Sequence, residues 1–239
     1  MIGEYMIRRF ELIGELDDDD RRALLDVRGE LRNLERGEDL LKDGGEPAFS
    51  VVVIDGLLQR YKINPQGKRQ IHSFYLPTDT PSLETLPIEV MDNTLGAAAP
   101  SRVGLVSRAE MWRIMGERPN VLKLVWRETL VQAATFREWL MRNSQLLAHA
   151  QLAHFFCEIF TRAKAAGLAR GDTFDLPLMP DDIADALGMS VLHVNRTRSL
   201  LQASGLVSFE GGRLKVPDLG ALAEAAEFDG RYLHLHRSA

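Results

Sequence analysis

The sequence predicts an α+β fold: an antiparallel β domain in the N-terminal half, one long helix, and a C-terminal winged helix-turn-helix. Three observations carry this. Short apolar runs separated by glycine- and proline-bearing turns fill residues 34–107. Residues 120–164 hold neither proline nor glycine. Residues 179–211 set two short helical patterns either side of a glycine and end in a strand.

The bulk properties are those of an ordinary globular chain: 239 residues, 45% hydrophobic and 26% charged. A formal charge of −5 argues against indiscriminate nucleic-acid binding. It leaves specific binding open, because only a contact face must be positive. A single cysteine excludes an intrachain disulfide and points to a reducing compartment. Cys157 stands in an apolar run and reads as a packed core residue. Glu4, Arg8, Arg9 and Glu11 interrupt any signal-peptide core, and no stretch approaches a membrane span, so the expected location is the cytoplasm, without membrane contact.

Taken in order, residues 1–32 are expected to be helical. Met6, Phe10 and Ile13 begin a stripe that Leu24 and Leu25 continue beyond Asp17-Asp18-Asp19-Asp20, read as a solvated helix start. From Leu34 the texture turns extended. Arg36-Gly37, Gly44-Gly45 and Asn64-Pro65-Gln66-Gly67 are turn chemistry, and the runs 49–54, 57–63 and 69–76 between them are strands. Closely spaced strands of this kind form a barrel or sandwich, with residues 96–107 as further strand material.

Gly116 and Pro119 bracket a switch to helix. Leu122, Trp126, Thr129, Ala133, Phe136 and Leu140 recur at alternating spacings of four and three, a heptad seam that suggests a dimer axis. The alternative is a helix lying on its own barrel. Polar Arg142, Asn143, Ser144 and Gln145 mark an expected bend, after which residues 151–166 open the last domain. The expected partition is 1–118 for an N-terminal helix and β domain, 119–145 for the seam helix, and 146–239 for the winged domain.

Pro180, Asp181 and Asp182 suit a first helical turn; Ile183 and Leu187 share a face, and Ala184 permits a close crossing. Gly188 stands where the chain needs a positive φ. Ser190 caps a second helix whose inward stripe is Val194, Thr197 and Leu201. Leu192, Asn195, Arg196 and Ser199 then face outward, with Ser190, Val191 and His193 at the leading end. Asn and Arg can pair with purine edges in a major groove, and an apolar tip can meet a thymine methyl. Residues 206–209, Gly211-Gly212 and 213–216 form a hairpin wing whose Arg213 and Lys215 suit phosphates. A short helix over 219–228 and an apolar tail with surface His234 and His236 follow.

This order of parts resembles the Crp/Fnr superfamily of transcription regulators over almost the whole length. The carrying residues are the block 51–61, the hairpin 65–74 and the winged segment around 183–206. The resemblance implies a cyclic-nucleotide-type jelly roll, a dimerising helix and a winged helix-turn-helix reading a two-fold symmetric operator in double-stranded DNA. It implies no enzyme activity, and RNA polymerase as a further partner. On it, Arg196 makes the main base contact and Val191, Leu192 and Asn195 shape specificity. Ser190, His193, Ser199, Arg213 and Lys215 serve mainly phosphates.

Members that bind cyclic AMP carry Gly-Glu and Arg-Ser pairs that hold ribose and phosphate. Here Ser82 and Leu83 replace the first, and Met91 and Asp92 fall at or near the second. A carboxylate there repels a phosphodiester, so the effector is expected not to be cyclic AMP. One cysteine does not support the four-thiolate iron–sulfur cluster of oxygen-sensing relatives. No cofactor is predicted. Haem, used by other relatives, stays as an alternative with no ligand nameable among His72, His149, His154 and the remaining histidines. The competing readings are a cupin-like metal enzyme and a ligand-responsive interaction module without DNA binding.

Overall fold

The computed structural model describes residues 1–236 and forms two compact units. One holds residues 1–62, 73–133 and the described residues from 234 onward; the other holds 63–72 and 134–233.

The first unit starts with two helices, α1 (Ile2–Glu11) and α2 (Asp18–Leu25). Strands follow: β1 (Glu30–Leu34), β2 (Asp39–Leu41), β3 (Phe49–Asp55), β4 (Leu58–Ile63), β5 (Arg69–Tyr75), β6 (Thr94–Ala97) and β7 (Ser101–Ser107). They make two sheets, β1-β7-β3 and β2-β6-β4-β5, with every resolved pairing antiparallel. The fold class is the one the sequence predicts. Val51 and Val53 join Leu58, Tyr75, Leu95 and Val103 between the sheets. Val52 joins Met6, Phe10, Leu24, Val106 and Met111 on the other face of β3. Both faces are covered, so β3 reads as a continuous apolar run rather than an alternating one. Gly104 on β7 makes room for α1: a Cβ there would lie 2.7 Å from Cγ1 of Ile2.

The single helical stretch expected over residues 1–32 is a correction. It is two helices, and the chain is already strand from Glu30. Asp17 ends the intervening turn by accepting the Asp20 N–H at 2.7 Å. Asp20 is not solvated as expected but fully buried, taking Nε of Arg118 at 2.7 Å and Nδ2 of Asn120 at 2.6 Å. Arg118 ends α3 (Arg108–Glu117), and Asn120 starts α4 (Pro119–Gln145). The acidic run is therefore a latch on the root of the long helix.

In the second unit the C-terminal half of α4 meets α5 (Ala148–Ala165) across a break at Leu146 and Leu147. The sequence carries no proline or glycine there, and the polar run Arg142 to Gln145, expected to mark a bend, directly precedes the break. The side chain of Gln151 supplies the break, donating to the Leu146 carbonyl at 2.7 Å and the Asn143 carbonyl at 3.3 Å. Helix α5 is buried almost all round and forms the spine of this unit. The chain continues through β8 (Thr173–Asp175), α6 (Pro180–Leu187), α7 (Val191–Ala203), β9 (Ser208–Glu210), β10 (Arg213–Lys215) and α8 (Leu219–Ala225). The wing is a three-stranded sheet, β8-β10-β9, one strand more than the expected hairpin.

The tail keeps His234 and His236 at the surface, as expected, and packs its apolar part. The Tyr232 hydroxyl donates to Oε2 of Glu158 at 2.7 Å, its ring stacks on His154, and Leu233 is buried. His154 is fully buried, 3.2 Å from Oε1 of Glu138, and burial together with the Arg142 charge pushes its pKa down to about 4. Cys157 is buried, which lifts its thiol to about 12. It is a core residue, as its setting in the sequence suggests.

Candidate nucleic-acid interface

Helix α6 begins at Pro180, and Oδ2 of Asp182 turns back to accept the Met179 N–H at 3.1 Å. It ends at Gly188 with φ 67°, the left-handed conformation that glycine adopts without penalty. The chain then turns, and Oγ of Ser190 caps α7 by accepting the His193 N–H at 3.2 Å. Val194, Thr197 and Leu201 face inward and are buried, as are Ile183, Ala184 and Leu187 opposite them. Spacing and caps alone place this pair of helices, because each local preference agrees with the packing.

The outward face of α7 follows. Ser190, Val191, Leu192, His193, Arg196 and Ser199 are exposed; Asn195 and Arg198 are half-buried. Asn195 is less available than its position on the helix suggests, since its Oδ1 is buried. Helix α7 carries two arginines and no carboxylate, within a chain of net charge −5. The helix is thus locally basic within an acidic chain. The wing is more nearly neutral: Arg213 pairs with Asp175 at 3.0 Å and Lys215 with Asp172 at 3.4 Å. Both pairs are exposed, and such pairs contribute only about 0–1 kcal/mol, so these cations are loosely held. Phe209 of β9 anchors the wing against Phe156 of α5, ring centroids 5.4 Å apart.

Three residues to which sequence reasoning gave no such role hold α6 in place. Arg69 donates through Nε to Asp185 at 2.7 Å and through Nη2 to Asp182 at 3.0 Å. Burial works against the charge of Arg69, but the two aspartates outweigh it and hold its pKa above the ordinary value. Gln70 donates to the Asp185 carbonyl at 2.7 Å, and Asn143 to the Ala186 carbonyl at 2.9 Å. The last carbonyls of α6 lack intrahelical partners, and these amides supply them. No local signal reveals this, because Arg69 and Asp185 lie 116 positions apart.

The residues of the expected seam are more exposed than the face of α4 that enters the core. Val121, Leu124, Val125, Glu128 and Val131 are buried, whereas Leu122, Trp126 and Leu140 are exposed and Thr129, Ala133 and Phe136 half-exposed. Trp126 is 67% exposed, with Leu130 (absent from the expected seam) 54% exposed beside it. Phe136 sets its ring edge-on to His72.

The residues expected at the phosphate site are mostly packed. Ser82 is buried and its Oγ accepts the Val51 N–H at 2.7 Å; Leu83 and Met91 are buried in apolar clusters. Asp92 is exposed, and its carbonyl takes Nζ of Lys62. Inside the barrel the buried cation is Arg60, paired with Glu84 and set over the Tyr75 ring at 5.5 Å. Among the described residues no group of three His, Cys, Asp or Glu side chains is arranged to hold a metal ion. No described helix is long and apolar enough to cross a membrane.

Residues 150–225 match the Crp-like helix-turn-helix domain family. The transcriptional activator FnrL of Cereibacter sphaeroides is 26% identical over 234 residues, 95% of this chain and 92% of that protein. A probable transcriptional activator of Rhizobium leguminosarum is 28% identical over 80% of this chain and 79% of its own length. In structure, FixK2 from Bradyrhizobium japonicum superposes with a TM-score of 0.76 at 23% identity, covering 83% of this chain and 98% of that one. Over most of its length the chain is thus similar to transcription regulators, and its last third carries a Crp-like helix-turn-helix domain. A second solved structure, the CRP-family regulator TTHB099 from Thermus thermophilus, gives a TM-score of 0.64 at 20% identity, covering 82% of this chain and 97% of that one. These structural likenesses establish the fold.

Proposed function

We propose that the protein is a homodimeric, sequence-specific regulator that sets one α7 in the major groove of each half of a two-fold symmetric operator. One observation carries the reading: the exposed leading face of α7 holds Arg196 while Val194, Thr197 and Leu201 fix its opposite face in the core. Arg196 makes the main base contact, pairing with a guanine edge. Val191, Leu192 and Asn195 shape specificity. Ser190, His193 and Ser199 serve phosphates, and Arg213 and Lys215 do so by exchanging their aspartate partners for the DNA backbone. The stripe Leu122, Trp126, Thr129, Ala133, Phe136 and Leu140, exposed at Leu122, Trp126 and Leu140 and half-exposed between, is the dimer seam, which sets the half-site spacing.

Cyclic AMP is not the effector on this reading. Ser82, Leu83 and Met91 are committed to packing, Asp92 brings a carboxylate, and Arg60 already has a carboxylate partner in Glu84. Two relatives bear the name transcriptional activator, and we assign the same role here, with RNA polymerase as the partner and the cytoplasm as the location.

The test is selection from random duplexes, followed by titration of the selected operator. Arg196→Ala weakens binding by about 1–3 kcal/mol and relaxes preference at one base pair per half-site. Equal affinity of mutant and wild type for that operator contradicts the assignment.

A further inference from the structure

Leu192 is the second residue of α7 and is 71% exposed. It lies one helical turn before Arg196, so the two side chains share a face about 6 Å apart along the axis. A leucine makes no hydrogen bond, so it cannot distinguish bases by their donors and acceptors. Major-groove edges present one apolar group, the C5-methyl of thymine. Cytosine at the same place puts an N4 amino donor beneath the leucine, where it loses water and gains no acceptor. The remaining first-turn neighbours on this face are Val191, also apolar, and His193.

We infer that Leu192 reads a thymine methyl. Each half-site then holds a thymine within about two base steps of the guanine read by Arg196, since bases are spaced 3.4 Å along a strand. The inference rests on the DNA-reading role of α7 and specifies part of its sequence preference. It also separates two energetic roles along one helix face. Arg196 contributes charge and hydrogen bonds, whereas Leu192 contributes apolar burial alone. Removing Leu192 therefore lowers affinity without changing the dependence on salt, because no phosphate counterion is involved.

The experiment starts from an operator selected with the full-length protein and replaces each thymine of both half-sites in turn by deoxyuridine. Fluorescence anisotropy then measures affinity at several salt concentrations. Removing the methyl that Leu192 covers weakens the wild type about fourfold per half-site, or about fifteenfold for the symmetric pair. Leu192→Ala binds the thymine and deoxyuridine operators equally and keeps the wild-type salt slope. If the wild type binds tightly but is indifferent to every deoxyuridine, thymine reading is wrong and DNA reading stands. If Leu192→Ala keeps the methyl effect, another residue reads it and the assignment to Leu192 falls. If selection returns no sequence at all, the role of α7 falls and this inference with it.

Discussion

Replacing Arg9 by methionine tests how the seam helix is held down. Arg9 on α1 donates through Nε and Nη2 to the two carboxylate oxygens of Glu128 at 2.9 and 3.0 Å, a paired geometry. Its Nη1 lies 3.3 Å from Oδ1 of Asp79. The Arg9 and Glu128 side chains are 9% and 2% exposed, so water screens the pair little. Arg9→Met leaves the Glu128 carboxylate buried beside the Gln132 amide, which donates at 3.1 Å. Breaking a buried pair from one side costs about 3–5 kcal/mol. At about 2–4 °C per kcal/mol for a chain of this size, the unit should melt roughly 6–20 °C lower. Adding Glu128→Met should recover much of the loss, because an apolar pair of similar volume is often neutral relative to a buried ion pair. Differential scanning calorimetry decides it. A single mutant melting within a degree of wild type, or a double mutant melting lower than the single, refutes the reasoning.

Two further outcomes follow. Trp126→Glu puts a carboxylate in the seam; it should weaken dimerisation roughly a hundredfold, about 3 kcal/mol, in sedimentation velocity while the exposed site leaves monomer melting unchanged. A mutant that stays dimeric at the wild-type concentration removes Trp126 from the interface. His154 has a folded pKa of about 4 against an ordinary 6.5, set by burial and then by Arg142. Between those values the unfolded chain holds a proton the folded chain does not. Stability should therefore be fully present above pH 6.5 and fall by on the order of 3 kcal/mol as pH drops toward 4. Denaturant titrations of His154→Gln should lose that part of the slope; an unchanged pH dependence assigns the effect elsewhere.

What could be read before the structure divides by range. The cap at Ser190, the positive φ at Gly188 and the buried Val194 stripe were legible because each rests on residues within one or two helical turns. On α4 the heptad pattern picked out exposed Leu122, Trp126 and Leu140 but passed over Leu130, which is 54% exposed. Partners brought together from afar were not: Asp20 reads as a surface acid until Arg118 and Asn120 arrive, nearly a hundred positions later. Arg213 and Lys215 read as free wing cations because β8, which brings Asp175 and Asp172 beside them, is only three residues long. The polar run Arg142 to Gln145 marked the bend, but the contact that makes it did not show, because the Gln151 side chain, not a proline or glycine, takes the Leu146 carbonyl.

The most direct test of the central claim, one α7 per half-site presented by a symmetric pair of chains, is sedimentation equilibrium of the protein with its selected duplex. Two chains should bind each duplex, the selected sequence should be an inverted repeat with half-sites about one helical turn apart, and a duplex holding one half-site should bind far more weakly. One chain per duplex, or equal affinity for the half-site and the full repeat, would contradict it.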